Sequence, residues 1–154
     1  MTPRNRVLSG ILAVVGGLLI GDMGFAMPSR PLMVETYHGV PYVSGGVSEN
    51  DRQALRQITT DDNLQLIFAA KDRDYLSDVA VHIRDERGHE VLNTVAQGPW
   101  LFTKLPSGKY RITASTMGHS QGAVVELSPK NKTRVYLTWE NALLKFPSPA
   151  VVQK

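Results

Sequence analysis

Cysteine is absent from the 154 residues, and that absence removes two possibilities. No disulfide can brace the fold, and no lipid-modified N-terminal cysteine can tether an exported chain. A marked excess of one charge is missing as well. The net charge is only +3, with Lys and Arg scattered among Asp and Glu, so there is no electrostatic footprint for nucleic acid. The uncharged run from Val7 to Ile20 stops at Gly21-Asp22, short of the ~20 apolar residues that a spanning helix needs. Gly45-Gly46 lacks the Lys and Ser/Thr spacing of a phosphate-cradling loop.

What the N-terminus does carry is an export pattern. Arg4 and Arg6 precede the apolar run, and Gly24-Phe25-Ala26 puts small residues where a signal peptidase reads. Residues 1–26 are therefore expected to be a secretory signal peptide cleaved after Ala26, with an uncleaved membrane anchor as the alternative. The expected location is periplasmic or secreted, with no membrane span after cleavage. A mature chain of this size, with 42% hydrophobic residues overall, can hold one domain together by its core alone.

Residues 27–47 are rich in Pro and Gly and lack a sustained period, which predicts a linker settling onto the domain. Ser48 to Ile58 predicts the one good helix: Ser48 caps it, Asp51 sits three residues on, and Ala54, Leu55 and Ile58 share a face. So short a helix must lie on something apolar, such as the open end or edge of a sheet. From Asn63 the period changes to two. Strands are predicted at Leu64 to Phe68, Val79 to Ile83, Glu90 to Ala96, Trp100 to Leu105, Lys109 to Met117, Gly122 to Leu127 and Thr133 to Trp139. Turn residues separate them, as at Asp85 to Gly88 and Ser128 to Asn131. The predicted fold is all-β: a seven-stranded antiparallel Greek-key β-sandwich spanning residues 48–140 with its leading helix at 48–59. A loose tail, 141–154, follows.

The order D-V-x-V-x-I-x-D-x-x-G at Asp78 to Gly88, then Gly98-Pro99, then L-P-x-G-x-Y-x-I-x-A at Leu105 to Ala114, resembles the carboxypeptidase regulatory-like domain. The resemblance covers roughly Asn63 to Trp139 and implies a transthyretin-like β-sandwich that acts as a stability or interaction module. Its most specific part is the corner from Leu105 to Tyr110, where Pro106 presets a turn, Gly108 permits the reversal and Tyr110 buries its ring. The related hydroxyisourate hydrolases end in Tyr-Arg-Gly-Ser; this chain ends Pro149-Ala150-Val151-Val152-Gln153-Lys154, so that activity is set aside.

Gly118-His119-Ser120-Gln121-Gly122 matches the nucleophile elbow of lipases and esterases, but neither His nor Asp follows Ser120 and the residues after it alternate as a strand. A hairpin tip explains the pentapeptide without chemistry, and no enzyme activity is expected. His38, His82, His89 and His119 lack close ligand spacing. Only His82 and His89, on either side of a turn, could approach each other, so no metal or other cofactor is expected.

Two functions remain. The first is a non-enzymatic envelope module that binds a protein or polyanionic polymer through a sheet face or edge, with Lys104, Lys109, Arg111 and Arg134 as a mild basic surface. The second is a small-molecule or carbohydrate binder that uses Trp100 and Tyr75 as a stacking platform.

Overall fold

The computed structural model describes residues 31–72 and 74–140; the expected signal peptide and tail lie outside them. Nine strands and one helix follow in order: β1 Glu35–Tyr37, β2 Val40–Gly45, α1 Glu49–Ile58, β3 Leu64–Ala70, β4 Val79–Asp85, β5 Glu90–Ala96, β6 Trp100–Thr103, β7 Gly108–Thr116, β8 His119–Leu127 and β9 Thr133–Trp139. Among the described residues no helix is long and apolar enough to cross a membrane.

The strands form two sheets, one of five in the order β1-β2-β6-β3-β9 and one of four in the order β5-β4-β7-β8. Alternation decides what each strand buries. Leu64, Leu66 and Phe68 of β3 meet Val79, Val81 and Ile83 of β4 and Ile112 and Ala114 of β7 in one core between the sheets, with Trp139 fully enclosed. The all-β expectation holds at this level. The expectation of seven antiparallel strands does not, because the described residues hold nine and β3 runs parallel to β9 from Leu64↔Thr133 to Ala70↔Trp139.

The two additional strands lie in the stretch expected to be a linker. His38 and Gly39, both with positive φ, form a two-residue turn between Tyr37 and Val40, a connection that matches the twist of a hairpin. β2 then pairs with β6, while Pro41 falls on the short hairpin where its missing N–H is tolerated. Tyr37 Oη donates to Glu90 at 2.5 Å, tying β1 to the edge of the opposite sheet.

Helix α1 starts as its sequence predicts. The Asp51 amide donates to Ser48 Oγ at 3.1 Å and the Ser48 amide to Asp51 Oδ2 at 3.2 Å, a reciprocal cap. The helix lies on the outer face of the five-stranded sheet, not at an edge or open end. Leu55 is sealed against Val43, Ile67, Trp100 and Phe102 in a second, smaller core, whereas Ile58, expected on the same face, is 50% exposed.

The Leu105–Tyr110 corner is built as expected, with Tyr110 buried and its hydroxyl donating to the Pro106 carbonyl at 2.9 Å. At Gly98 a Cβ would stand only 2.4 Å from the Gly45 carbonyl oxygen. Glycine there lets the β5–β6 connection touch the end of β2.

Candidate functional site

The outward side chains of the five-stranded sheet follow from its register. Gln65 has Phe102 on one flank and Arg134 on the other, and Ile67 has Trp100 and Tyr136. These two rows are the floor of a groove of about 260 Å³, walled by Arg56 and Thr59 at the end of α1, by Tyr75 of the β3–β4 loop and by Lys132 just before β9. Of the residues expected to bind a ligand, Trp100, Tyr75 and Arg134 therefore share one site.

Cations sit over the rings. The Arg56 guanidinium is 5.3 Å from the centre of the Trp100 ring, and Arg52 is 5.9 Å from Trp100 and 5.5 Å from Tyr75. Lys132 Nζ lies 5.4 Å from Phe102. Such contacts are worth ~0.5–2 kcal/mol each, more where water is excluded. Trp100 is only 8% exposed, so its ring cannot serve as the open platform expected of it; Tyr75, at 55%, and Tyr136, at 62%, present the accessible rings. The Trp100 Nε1–H is buried with no hydrogen-bond partner among the described residues.

The positive charge of the groove is only partly neutralised. Glu49 pairs with Arg52 at 3.0 Å and reaches Arg56 at 3.5 Å, and the Arg52 hydrogen bond holds its carboxyl below the usual range. Lys132 donates to the Thr59 carbonyl at 2.7 Å, and Arg134 Nε to Gln65 Oε1 at 2.9 Å. Those bonds fix the two cations in position without cancelling either charge. Among the described residues no carboxylate lines the groove. Asp62 lies near Lys132, but burial raises its pKa more than Lys132 and Lys104 lower it.

The other expected basic residues lie elsewhere. Lys109 and Arg111 alternate with the buried Tyr110 and Ile112 on β7, on the outer face of the four-stranded sheet, and Lys104 is exposed in the β6–β7 connection. The single basic face expected of Lys104, Lys109, Arg111 and Arg134 is thus divided between sheets. Arg56, Lys132 and Tyr136 line the groove without having been expected there, and Arg52 reaches the Trp100 and Tyr75 rings beside it. The outward alternation of β9 was the available signal for Tyr136, and the spacing of Arg52 and Arg56 around Leu55 the signal for the helix pair.

Ser120 lies within β8, opposite Ser115, and the turn itself is Met117-Gly118. Its Oγ is 2.7 Å from Ser115 Oγ, and a strand follows it where an elbow requires a helix. His82 and His89 do not converge. His82 is opposite Asn93 and faces Glu90 at 3.4 Å, while His89 faces Asp85 at 3.1 Å.

No protein-family model matches the chain, and no curated protein matches it.

Proposed function

We propose that the chain is an exported, non-enzymatic binding module that takes an acidic saccharide, such as a uronate-bearing segment of an envelope polymer, in the groove beneath α1. The observation that carries this reading is a lining that combines Arg56, Lys132 and Arg134 with the rings of Tyr75 and Tyr136 and, among the described residues, holds no carboxylate. Sugar rings place their apolar faces on aromatic side chains, and carboxylates accept the charge-assisted hydrogen bonds that guanidinium and ammonium groups offer. The groove volume suits one or two ring-sized units, below the range of a drug-sized pocket. Export is supported by the N-terminal pattern from Arg4 to Ala26, and the carboxypeptidase regulatory-like reading by the corner where Tyr110 bonds back to Pro106.

Calorimetric titration of the full chain with oligogalacturonate and with neutral oligosaccharides of equal length tests the proposal. Binding is expected for the acidic series alone. Arg134→Gln and Lys132→Gln should each weaken it about tenfold, the loss of one charge-assisted hydrogen bond. Equal binding of the neutral series, or a double variant with unaltered affinity, would refute the reading.

A further inference from the structure

The four-stranded sheet carries a second cluster, remote from the groove in the register. On the outward side of its two central strands, His82 of β4 is opposite Thr113 of β7, and Arg84 is opposite Arg111. Those four side chains line one surface depression. Each offers a hydrogen-bond donor, and none is acidic.

Two guanidinium groups directly opposite on adjacent strands repel each other. The strands cannot move apart to relieve this, since each is paired on its other side as well. A carboxylate in the same cross-strand row would be the simple remedy, and one is present in the register: Glu90 of β5 is the partner of Arg84. Its oxygens accept from the Tyr37 hydroxyl at 2.5 Å and face His82 Nδ1 and Asn93 Nδ2 at 3.4 Å, so its charge stays beside Arg84 but forms no ion pair with it. On the far side the row ends in exposed Val124. Asp85 accepts from the amides of Arg87 and His89; it and Glu86 line an adjoining depression with Arg84, Lys109 and Arg111, and among the described residues neither forms an ion pair with either arginine. Lys109, in the next row of β7, is opposite Glu126. Among the described residues neither the Arg84 nor the Arg111 guanidinium has a hydrogen bond or an ion pair.

We propose that His82, Arg84, Arg111 and Thr113 form a binding site for a phosphate group. A phosphate monoester or free phosphate carries between one and two negative charges at neutral pH and three acceptor oxygens or more, matching two guanidinium groups that form no ion pair among the described residues. A carboxylate supplies one charge and two oxygens. Arginine forks bind such oxygens in pairs, and the Thr113 hydroxyl and the His82 ring edge turned away from Glu90 complete the donor set. The site stands independently of the saccharide groove.

The test is a nuclear magnetic resonance titration of the isotopically labelled full chain at constant ionic strength, with inorganic phosphate, glucose 1-phosphate or acetate. Saturable shifts of the Arg84 and Arg111 side-chain N–H signals and of the Thr113 amide are expected with phosphate, with acetate at least fivefold weaker. Glucose 1-phosphate binding as well as phosphate would identify a sugar phosphate or similar monoester as the ligand, and a preference for phosphate would identify the free ion. Arg84→Gln and Arg111→Gln should each lower affinity tenfold or more, while Arg134→Gln, in the groove, leaves it unchanged. In phosphate-free buffer neither of the first two variants should melt below the parent, since each relieves the repulsion. Non-saturating shifts, equal binding of acetate, parental phosphate affinity in both variants, or a lowered melting temperature would overturn the proposal.

Discussion

Asn63 offers the sharpest test of how this domain is held together. It is 4% exposed and its side chain makes its two shortest bonds to one residue far along the chain: Nδ2 donates to the Leu105 carbonyl at 2.8 Å, and Oδ1 accepts from the Leu105 amide at 3.0 Å. The Asn63 carbonyl meanwhile accepts from the Thr133 amide at 2.8 Å. One side chain thus satisfies both peptide groups of a buried corner residue. Asn63→Ala would leave a buried donor and a buried acceptor unmet, at ~1–3 kcal/mol each, so a loss of about 2–5 kcal/mol is expected. That is a large share of the ~5–15 kcal/mol that stabilises a typical domain.

Asn63→Asp separates the two bonds. The acceptor for the Leu105 amide is kept, but a second carboxylate oxygen would face the carbonyls of Leu105 and Ser128, which Nδ2 now approaches at 2.8 and 3.5 Å. Burial and the facing carbonyls would raise the folded-state pKa of this Asp above its unfolded value of about 3.9. A raised carboxyl pKa destabilises the folded state at pH above it, and that penalty fades as pH falls towards the unfolded pKa, where the protonated acid can again donate to Leu105. Urea unfolding at pH 7 and pH 4 should therefore show a deficit against the parent that shrinks at the lower pH. A cost below about 0.5 kcal/mol for Asn63→Ala, or a pH-independent deficit for Asn63→Asp, would refute this account.

Two further outcomes follow from the groove. Leu55→Ala removes the plug of the smaller core and should cost about 2–5 kcal/mol; Trp100 emission should shift to the red, while Trp139, enclosed in the main core, reports global unfolding. Asp62→Asn should raise the melting temperature at pH 7, because burial gives the native carboxyl a raised pKa. The gain should vanish as pH drops through the ordinary value of 3.8, where both states hold the proton.

Most of the strands from β3 to β9 were legible because half-buried segments alternate, as β4, β5, β7, β8 and β9 do. The β1–β2 hairpin was not. β1 has three residues, largely exposed, and Pro41 interrupts the next strand, so no period accumulates. The parallel pairing of β3 and β9 had a trace in the sequence that alternation conceals. Leu64, Leu66, Ile67 and Phe68 are nearly continuous because β3 is covered on both faces, and Gln65, the polar interruption, is buried with Arg134 as its partner. Trp100, Tyr75 and Arg134 were identifiable singly as candidate ligand contacts. Their convergence depended on cross-strand register and on where α1 docks, neither of which a local pattern specifies. The division of the basic residues between two faces has the same cause.

The pairing of β3 with β9 also sets a timetable. Gln65 and Arg134, neighbours across those strands, are 69 residues apart in the chain, so this contact carries a greater loop-closure entropy than the hairpins do and is expected late in folding. While the chain is being synthesised, β3 has no partner on that flank until residue 139 has emerged. The four-stranded sheet, whose strands follow one another with β6 the only interruption, can assemble first. Until that last strand arrives, β3, the most continuously apolar strand of the five, is a sheet edge with β6 as its one neighbour.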